Sequence, residues 1–397
     1  MAGHSGGKYG IRLVADPAWR DAVMVSSPAM NDHRRILVAS DKFKGSLSAP
    51  AACAAIARGL ARRWPDAVIE ECPIADGGEG FAAALEEPLG GRWVEAPCHD
   101  ALARPILARY LVAECAGGAV AVMEMAAASG LWRIAAHERD ILRANTVGTG
   151  ELMRHAAQRE QVQRIILGIG GSATNDGGAG MAAALGVRFL DPDGRPLDPS
   201  PGALAGHLAR IDGSQRIPLP QITVACDVTS KLLGPSGATR VFAPQKGANE
   251  SSIMVLEAAL QAMVKVSGGA AAAACPGSGA AGGLGFGLVR FTGATIVPGF
   301  DLLADLTGLA ERIAAADLVV TGEGSLDAQT LTGKGPAGVA RLARLHGIPV
   351  WVFCGQADPA ARGSKAFDRV VDLAATGLPL ETLLATAARL LEEAAAS

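Results

Sequence analysis

Aromatic residues are scarce in this chain of 397 residues, at 4%, so packing must rest on small side chains, and the 50 glycines are too many for loop closure alone. Charge is sparse as well. Lys, Arg, Asp and Glu make up 19% of the chain, and a net charge of -3 gives no electrostatic reason to bind nucleic acid or an anionic membrane surface. The cysteines Cys53, Cys72, Cys98, Cys115, Cys226, Cys275 and Cys354 are dispersed, with no CxxC and no Cys/His cluster, which excludes a zinc module and reads as reduced thiols of a cytoplasmic protein. No apolar run is long enough to span a bilayer. The first 35 residues carry charges and prolines where a secretory signal would be apolar, and residues 1–34 are expected to form a poorly ordered extension.

What is present is an ordinary globular composition, 49% apolar, at a length that calls for two domains. A short apolar run, Ile36 to Ser40, predicts a strand, followed by a helix from Ser48 to Trp64 and a second strand from Ala67 to Pro73. The far end repeats this βαβ grammar. A helix from Leu302 to Ala315, a strand from Asp317 to Thr321, a glycine-rich loop, a helix after Gly335 and a strand from Pro349 to Phe353 precede a final helix from Leu380. Between them, strands Trp93 to Pro97, Ile106 to Val112 and Ala119 to Glu124 follow one another without helices, which predicts mixed or antiparallel pairing. The economical reading is a doubly wound parallel-sheet α/β domain, Rossmann-like, from residues 35–95 and 296–397, interrupted by an inserted mixed α/β domain over 96–295.

Five loops concentrate polar residues among glycines, most of them where a strand gives way to a helix, the place where parallel α/β sheets bind ligands. They are Asp41 to Ser46, Asp76 to Gly80, Gly168 to Gly178, Gly322 to Asp327 followed by Thr332 to Gly335, and the Pro276 to Gly287 run, which has no charged group. One glycine-rich turn is more often a tight connection than a ligand site, and a lone lysine or aspartate is more often a solvated or capping residue. The combination in four separate loops shifts that balance. A nucleotide tail needs backbone N–H groups at close range and lysine ammonium groups, its magnesium needs one or two carboxylates, and an acceptor hydroxyl needs a group to take its proton. Phosphoryl transfer from ATP to a small hydroxy acid fits this mixture, and it requires no Ser-His-Asp set, of which the sequence shows none. Two dinucleotide fingerprints, at Gly277 and Gly168, keep a nicotinamide-dependent oxidoreductase open as the alternative class, although it leaves Lys42, Lys44, Asp76 and Lys334 unexplained. The Thr332 to Gly335 fragment lacks the earlier glycine of a P-loop and has Gly335 where Ser or Thr would bind magnesium.

Taken in order, Asp41-Lys42-Phe43-Lys44-Gly45-Ser46-Leu47, Ile74 to Gly80, Leu167 to Met181, Ala225-Cys226-Asp227-Val228, Gln245-Lys246-Gly247-Ala248 and Thr321 to Gly324 resemble the glycerate kinase type I family, from about Ile36 to beyond Gly355. The resemblance implies ATP-dependent phosphorylation of D-glycerate, with 2-phosphoglycerate as the first expectation and 3-phosphoglycerate as the alternative, on a flavodoxin-like domain with an insertion and a site between the two. It departs from the family's pattern at Phe81, Ser230-Lys231, Ser325 and Gly335, which bears on substrate preference. Carried onto this chain, it marks Lys42, Lys44, Asp76, Asp176 and Asp327 as catalytic candidates. Substrate or phosphate binding falls to Ser46, Gly77, Gly78, Glu79, Gly170, Gly171, Ser172, Thr174, Asn175, Asp227, Gln245, Lys246, Gly322, Glu323, Gly324 and Lys334, with Asp227 and Asp327 as magnesium ligands. Another small hydroxy acid remains the alternative acceptor. The implied partners are ATP, Mg2+ and the small acid; whether the chain is a homo-oligomer is open. On this reading Asp176→Asn lowers turnover by orders of magnitude and leaves the fold stable, an expectation that turnover and thermal melting together check.

Overall fold

The computed structural model describes residues 34–327, 330 and 335–397, so the extension expected over 1–34 lies outside the described residues except for Arg34. In chain order the strands are β1 (Arg35–Ser40), β2 (Val68–Glu71), β3 (Arg92–His99), β4 (Pro105–Cys115), β5 (Gly118–Glu124), β6 (Arg164–Gly168), β7 (Arg188–Leu190), β8 (Arg210–Asp212), β9 (Gln221–Ala225), β10 (Thr295–Val297), β11 (Leu318–Leu326), β12 (Val350–Ala357) and β13 (Arg369–Asp372). They build a five-stranded sheet in the order β13-β12-β11-β1-β2, a six-stranded sheet in the order β10-β9-β6-β5-β4-β3, and the small β7-β8 pair. Every pairing in the first sheet is parallel. The second is mixed. Its β3-β4 and β4-β5 pairs are antiparallel, as the helix-free run of strands predicts, and β5, β6, β9 and β10 are parallel.

Period-two alternation decides which core each strand side chain enters, even where both faces are buried. On β1, Ile36 and Val38 join the helices Ala49–Arg63 and Leu380–Ala396, while Leu37 and Ala39 point to the opposite core. That opposite core is shared. Val120 and Val122 of β5 and Ile166 of β6 meet Leu37, Val319 and the helix Gly299–Thr307 in one buried cluster, so the two sheets are joined by packed apolar side chains. The alternate residues Ala121, Met123, Ile165 and Leu167 face the far side, against the helix Val147–Gln158.

Three expectations change. The expected loop Gly322 to Asp327 is strand as far as Leu326, because β12 continues beside it with Gly322 opposite Phe353 and Ser325 opposite Gln356. Glycine there serves strand packing, since a Cβ on Gly322 would lie 2.8 Å from the Phe353 carbonyl and 2.9 Å from Ser40 Oγ. The helix expected over 302–315 is two helices, Gly299–Thr307 and Leu309–Ala314, broken where Gly308 takes the left-handed conformation. The third concerns the stretch expected to start at 96 and end at 295. The second sheet reaches a few residues further at each end, with β3 from Arg92 and β10 to Val297.

Small-residue packing is clearest between the helices Ala49–Arg63 and Leu380–Ala396, where Glu392 also accepts from Arg58 and Arg62. A Cβ on Gly59 would stand 2.2 Å from the Glu392 carbonyl oxygen and 2.7 Å from Ala395 Cβ. Gly59→Val is therefore expected to destabilise the protein by about 1–3 kcal/mol, read as a lower midpoint of urea unfolding. An unchanged midpoint would contradict this packing.

Candidate active site

The polar loops leave the C-terminal ends of parallel strands in both sheets, and glycine backbone brings them together. A Cβ on Gly77 would meet the Ala225 carbonyl at the end of β9 at 2.6 Å, one on Gly168 would meet the Gly77 carbonyl at 2.5 Å, and one on Gly170 would meet Gly78 Cα at 2.5 Å. No larger residue fits these three places. Gly170 N–H donates to the Gly77 carbonyl at 3.2 Å, and Asp227, just past β9, accepts from Gly299 and Phe300 N–H at 2.9 and 3.3 Å, capping the helix Gly299–Thr307.

Around this seam a lysine is shared among carboxylates. Lys42 Nζ lies 3.9 Å from both Asp41 Oδ1 and Asp76 Oδ1, and the Cβ position of Gly78 is 3.7 Å from it. Burial pushes the ammonium down, but Asp41, Asp76, Glu79 and Glu124 outweigh burial and hold it above its ordinary value. The acids feel the opposite excess. Burial pushes the Asp41 carboxyl up to about 6, Lys42 opposing while Asp76 and Asp227 add to it. Burial likewise pushes Glu323, on β11, up to about 8, with the Thr330 hydroxyl opposing and Asp41, Asp327 and Asp76 adding. Thr330 Oγ1 donates to Glu323 Oε1 at 2.5 Å, and Asp327 Oδ1 accepts from Thr330 N–H at 3.1 Å. Clustered carboxylates, two of them paired with Lys42, are a donor set suited to a divalent cation. Among the described residues no three His, Cys, Asp or Glu side chains converge as a ready-made cage.

The Gly168–Gly178 loop holds a second, buried polar group. Lys246 Nζ donates to Ser172 Oγ and to the Thr174 carbonyl at 2.7 Å each, and Asn175 Nδ2 donates to Thr239 Oγ1 at 3.1 Å. Thr174 Oγ1 and Asn175 Oδ1 are buried without a hydrogen-bond partner among the described residues. The glycines of the Pro276–Gly287 run explain themselves here. With left-handed Gly282 in place, a Cβ on it would stand 2.0 Å from the Thr174 carbonyl, so the run is the backing on which the loop is pressed. Asp176 is turned inward. Its carboxylate accepts from Thr146 N–H and Oγ1 at 2.8 and 2.7 Å and from Gly178 and Gly180 N–H at 3.2 and 3.0 Å. Burial pushes its pKa up against these four donors.

The other expected site residues divide. Glu79 is exposed at the mouth, near enough to act on Lys42. Lys44 is exposed, its backbone nitrogen 3.0 Å from the Cβ position of Gly324. Gly171 is exposed with φ of 74°, beside Ser172. Ser46 points away, its hydroxyl donating to the Leu384 carbonyl at 2.7 Å. Gln245 is exposed, and its carbonyl accepts from Arg139. Lys334 lies outside the described residues. Residues that sequence reasoning left out of the site are Asp41, Glu124 and Thr146. Asp41 and Glu124 each stand at or just past the end of a predicted strand, a usable signal. Glu124 accepts from Gly80 and Ala82 N–H at 3.1 and 2.8 Å and so fixes the Asp76–Gly80 loop. Thr146 carries no such signal.

Glycine-lined backbone, a lysine and a surplus of carboxylates at the strand ends define a two-sheet α/β enzyme of the phosphotransferase class. Residues 36–397 match the model of the Glycerate kinase family, and the chain belongs to that family. The glycerate kinase of Halalkalibacterium halodurans is 41% identical over 371 residues, spanning 91% of this chain and 96% of that protein. The glycerate 2-kinase of Escherichia coli strain K12 is 41% identical over 326 residues, spanning 80% and 84%. A crystal structure assigned as glycerate kinase 2 of Salmonella typhimurium LT2 matches with a TM-score of 0.77 at 38% identity, covering 92% of this chain and 97% of that one.

Two outcomes follow from the buried acids. Asp176→Asn presents an NH2 to a site made of donors, so the expectation that its fold stays intact is revised: it should lose about 1–3 kcal/mol of stability along with turnover, seen by thermal melting beside the assay. Glu323 has a folded pKa above its unfolded value, so it favours the folded state most below about pH 4.5, and that contribution is lost as pH rises towards about 8. Glu323→Gln should flatten the fall in stability across that window; a variant that keeps the wild-type slope would contradict the assignment.

Proposed function

We propose that this enzyme transfers the γ-phosphoryl group of ATP to the 2-hydroxyl of D-glycerate, giving 2-phosphoglycerate and ADP by direct in-line displacement. The observation that carries this reading is the Lys42 ammonium set between Asp41 and Asp76 on a seam of glycine backbone. Lysine and close backbone N–H groups suit the phosphates, and the protein's share of such a transfer is mostly positioning and electrostatic stabilisation. Lys42 is assigned to the transferring phosphoryl group, with Lys44 and Lys334 as further cationic contacts to phosphate or to the substrate carboxylate. Asp76, Asp227 and Asp327, with Asp41 and Glu323 beside them, would hold magnesium, which supplies charge neutralisation at the phosphate oxygens. Ser172, Thr174 and Asn175 are assigned to hydrogen bonds with substrate or phosphate. Asp176 enters as a positioning residue that shapes their loop through Thr146 and Gly180.

The strand membership supports a division into a doubly wound domain and an inserted mixed α/β domain, with boundaries shifted to about residues 91 and 298 and the site at their seam. The absence of disulfides among the seven free cysteines fits action in the cytoplasm. No helix of the described residues is long and apolar enough to cross a membrane.

The test is to incubate the full chain with ATP, magnesium and D-glycerate and identify the product by phosphorus NMR. Phosphate at the 2-position is expected; phosphate at the 3-position would overturn the regiochemistry, and no phosphoryl transfer would overturn the substrate. Lys42→Met should lower kcat/KM by about 100-fold or more with the fold retained, as loss of one preorganised transition-state contact does.

A further inference from the structure

Lys246 carries its ammonium into the protein interior, 2% exposed, with no carboxylate at ion-pair distance among the described residues. Burying such a charge costs several kcal/mol, and a methionine would fill the same space without that cost. Its two hydrogen bonds, to Ser172 Oγ and the Thr174 carbonyl, are both to neutral acceptors. Beside them Thr174 Oγ1 and Asn175 Oδ1 are buried with no partner among the described residues, so the polarity of this pocket exceeds what those residues satisfy. The ammonium cannot meet a ligand directly. Ser172, buried but for 9%, lies nearer the surface: exposed Gly171 precedes it, and Gly170, pressed on Gly78 beside Lys42, is two residues away, at most about 7 Å of chain.

We infer that Ser172 and Lys246 form the proton relay of the transfer, with Ser172 Oγ meeting the acceptor hydroxyl and Lys246 acting through it. This rests on the reading of the chain as a hydroxy-acid kinase. As the acceptor oxygen bonds to the γ-phosphorus and the bond from that phosphorus to the bridging oxygen breaks, the acceptor proton passes to Ser172 Oγ. The Ser172 hydroxyl proton passes in turn to the neutral Lys246 amine. ADP leaves with the bridging oxygen and its electron pair, and the Lys246 ammonium returns its proton to water through Ser172 before the next turnover. Both forms of the amine are at hand near neutrality. Burial pushes the ammonium down to about 7, opposed by the Asp176 carboxylate from the facing loop, while Arg139 lies against the outer side of the Lys246 turn through its bond to the Gln245 carbonyl.

The experiment measures kcat and KM on D-glycerate from roughly pH 5.5 to 9 for the wild type and for Lys246→Met, Lys246→Arg and Ser172→Ala. The wild-type rate should rise with an ionisation near 7 that survives in Glu323→Gln. Lys246→Met should lower kcat by about 100- to 10,000-fold, lose that ionisation, leave KM within a few-fold and melt no lower than the wild type. Lys246→Arg should be equally slow, because an arginine keeps the donors and cannot take a proton. A structural tether would instead be rescued by arginine, and wild-type turnover or an unaltered pH profile in either variant overturns the relay. If the Lys246 variants do not fold, Ser172→Ala decides: near wild-type kcat with the ionisation intact overturns it. A wild-type enzyme without turnover on D-glycerate counts against the substrate and not the relay, and the same variants are then read on the hydroxy acid that it does phosphorylate.

Discussion

Everything in this site depends on backbone touching backbone where the two sheets meet. Gly77 lies on the end of β9, Gly168 lies on Gly77, and Gly170 lies on Gly78, each too close for a Cβ. This contact does more than pack. It brings the loop after β2, which carries Asp76, against the loop after β6, which carries Ser172, although the two are some ninety residues apart in the chain. Van der Waals contact between main chains also leaves N–H groups bare of side chains, the condition under which a phosphate can approach them.

The electrostatics follow from that geometry. Carboxylates from the ends of β1, β2, β9 and β11 share one low-dielectric region, and Lys42 answers only part of their charge. Burial first, and neighbouring carboxylates after it, push up the Asp41 and Glu323 carboxyls, and a nucleotide's cation would offset that crowding of negative charge. The loop after β6 has the reverse imbalance. There a lysine is buried among hydroxyls and carbonyls, with Asp176 as the carboxylate that acts on it. An acid-rich half and a half with a buried lysine among hydroxyls give the seam two chemically distinct sides.

Family membership and the site agree on the chemistry, and the arrangement explains the small-residue composition. Helices such as Ala49–Arg63 and Leu380–Ala396 approach through Gly59, and the Pro276–Gly287 run approaches the loop after β6 through Gly282. Glycine is used in this protein chiefly to remove side chains from places of contact. A chain richer in aromatics could not bring these elements so near.

The sequence by itself determined the βαβ ends, the antiparallel run of β3, β4 and β5, and the identity of the polar loops, because hydrophobic period and strand-to-helix punctuation are local properties of the chain. It also contained Asp41, Lys42, Asp76 and Glu323 in recognisable motifs. Only tertiary structure decided their use: that Gly322 and Gly324 belong to a strand, that Asp176 is tied to Thr146, that Ser46 turns to Leu384, and that Lys246 reaches Ser172 from more than seventy residues away. Burial, shared charge and hydrogen-bond partners are set by what lies across the fold from a residue, and no local pattern encodes that neighbour.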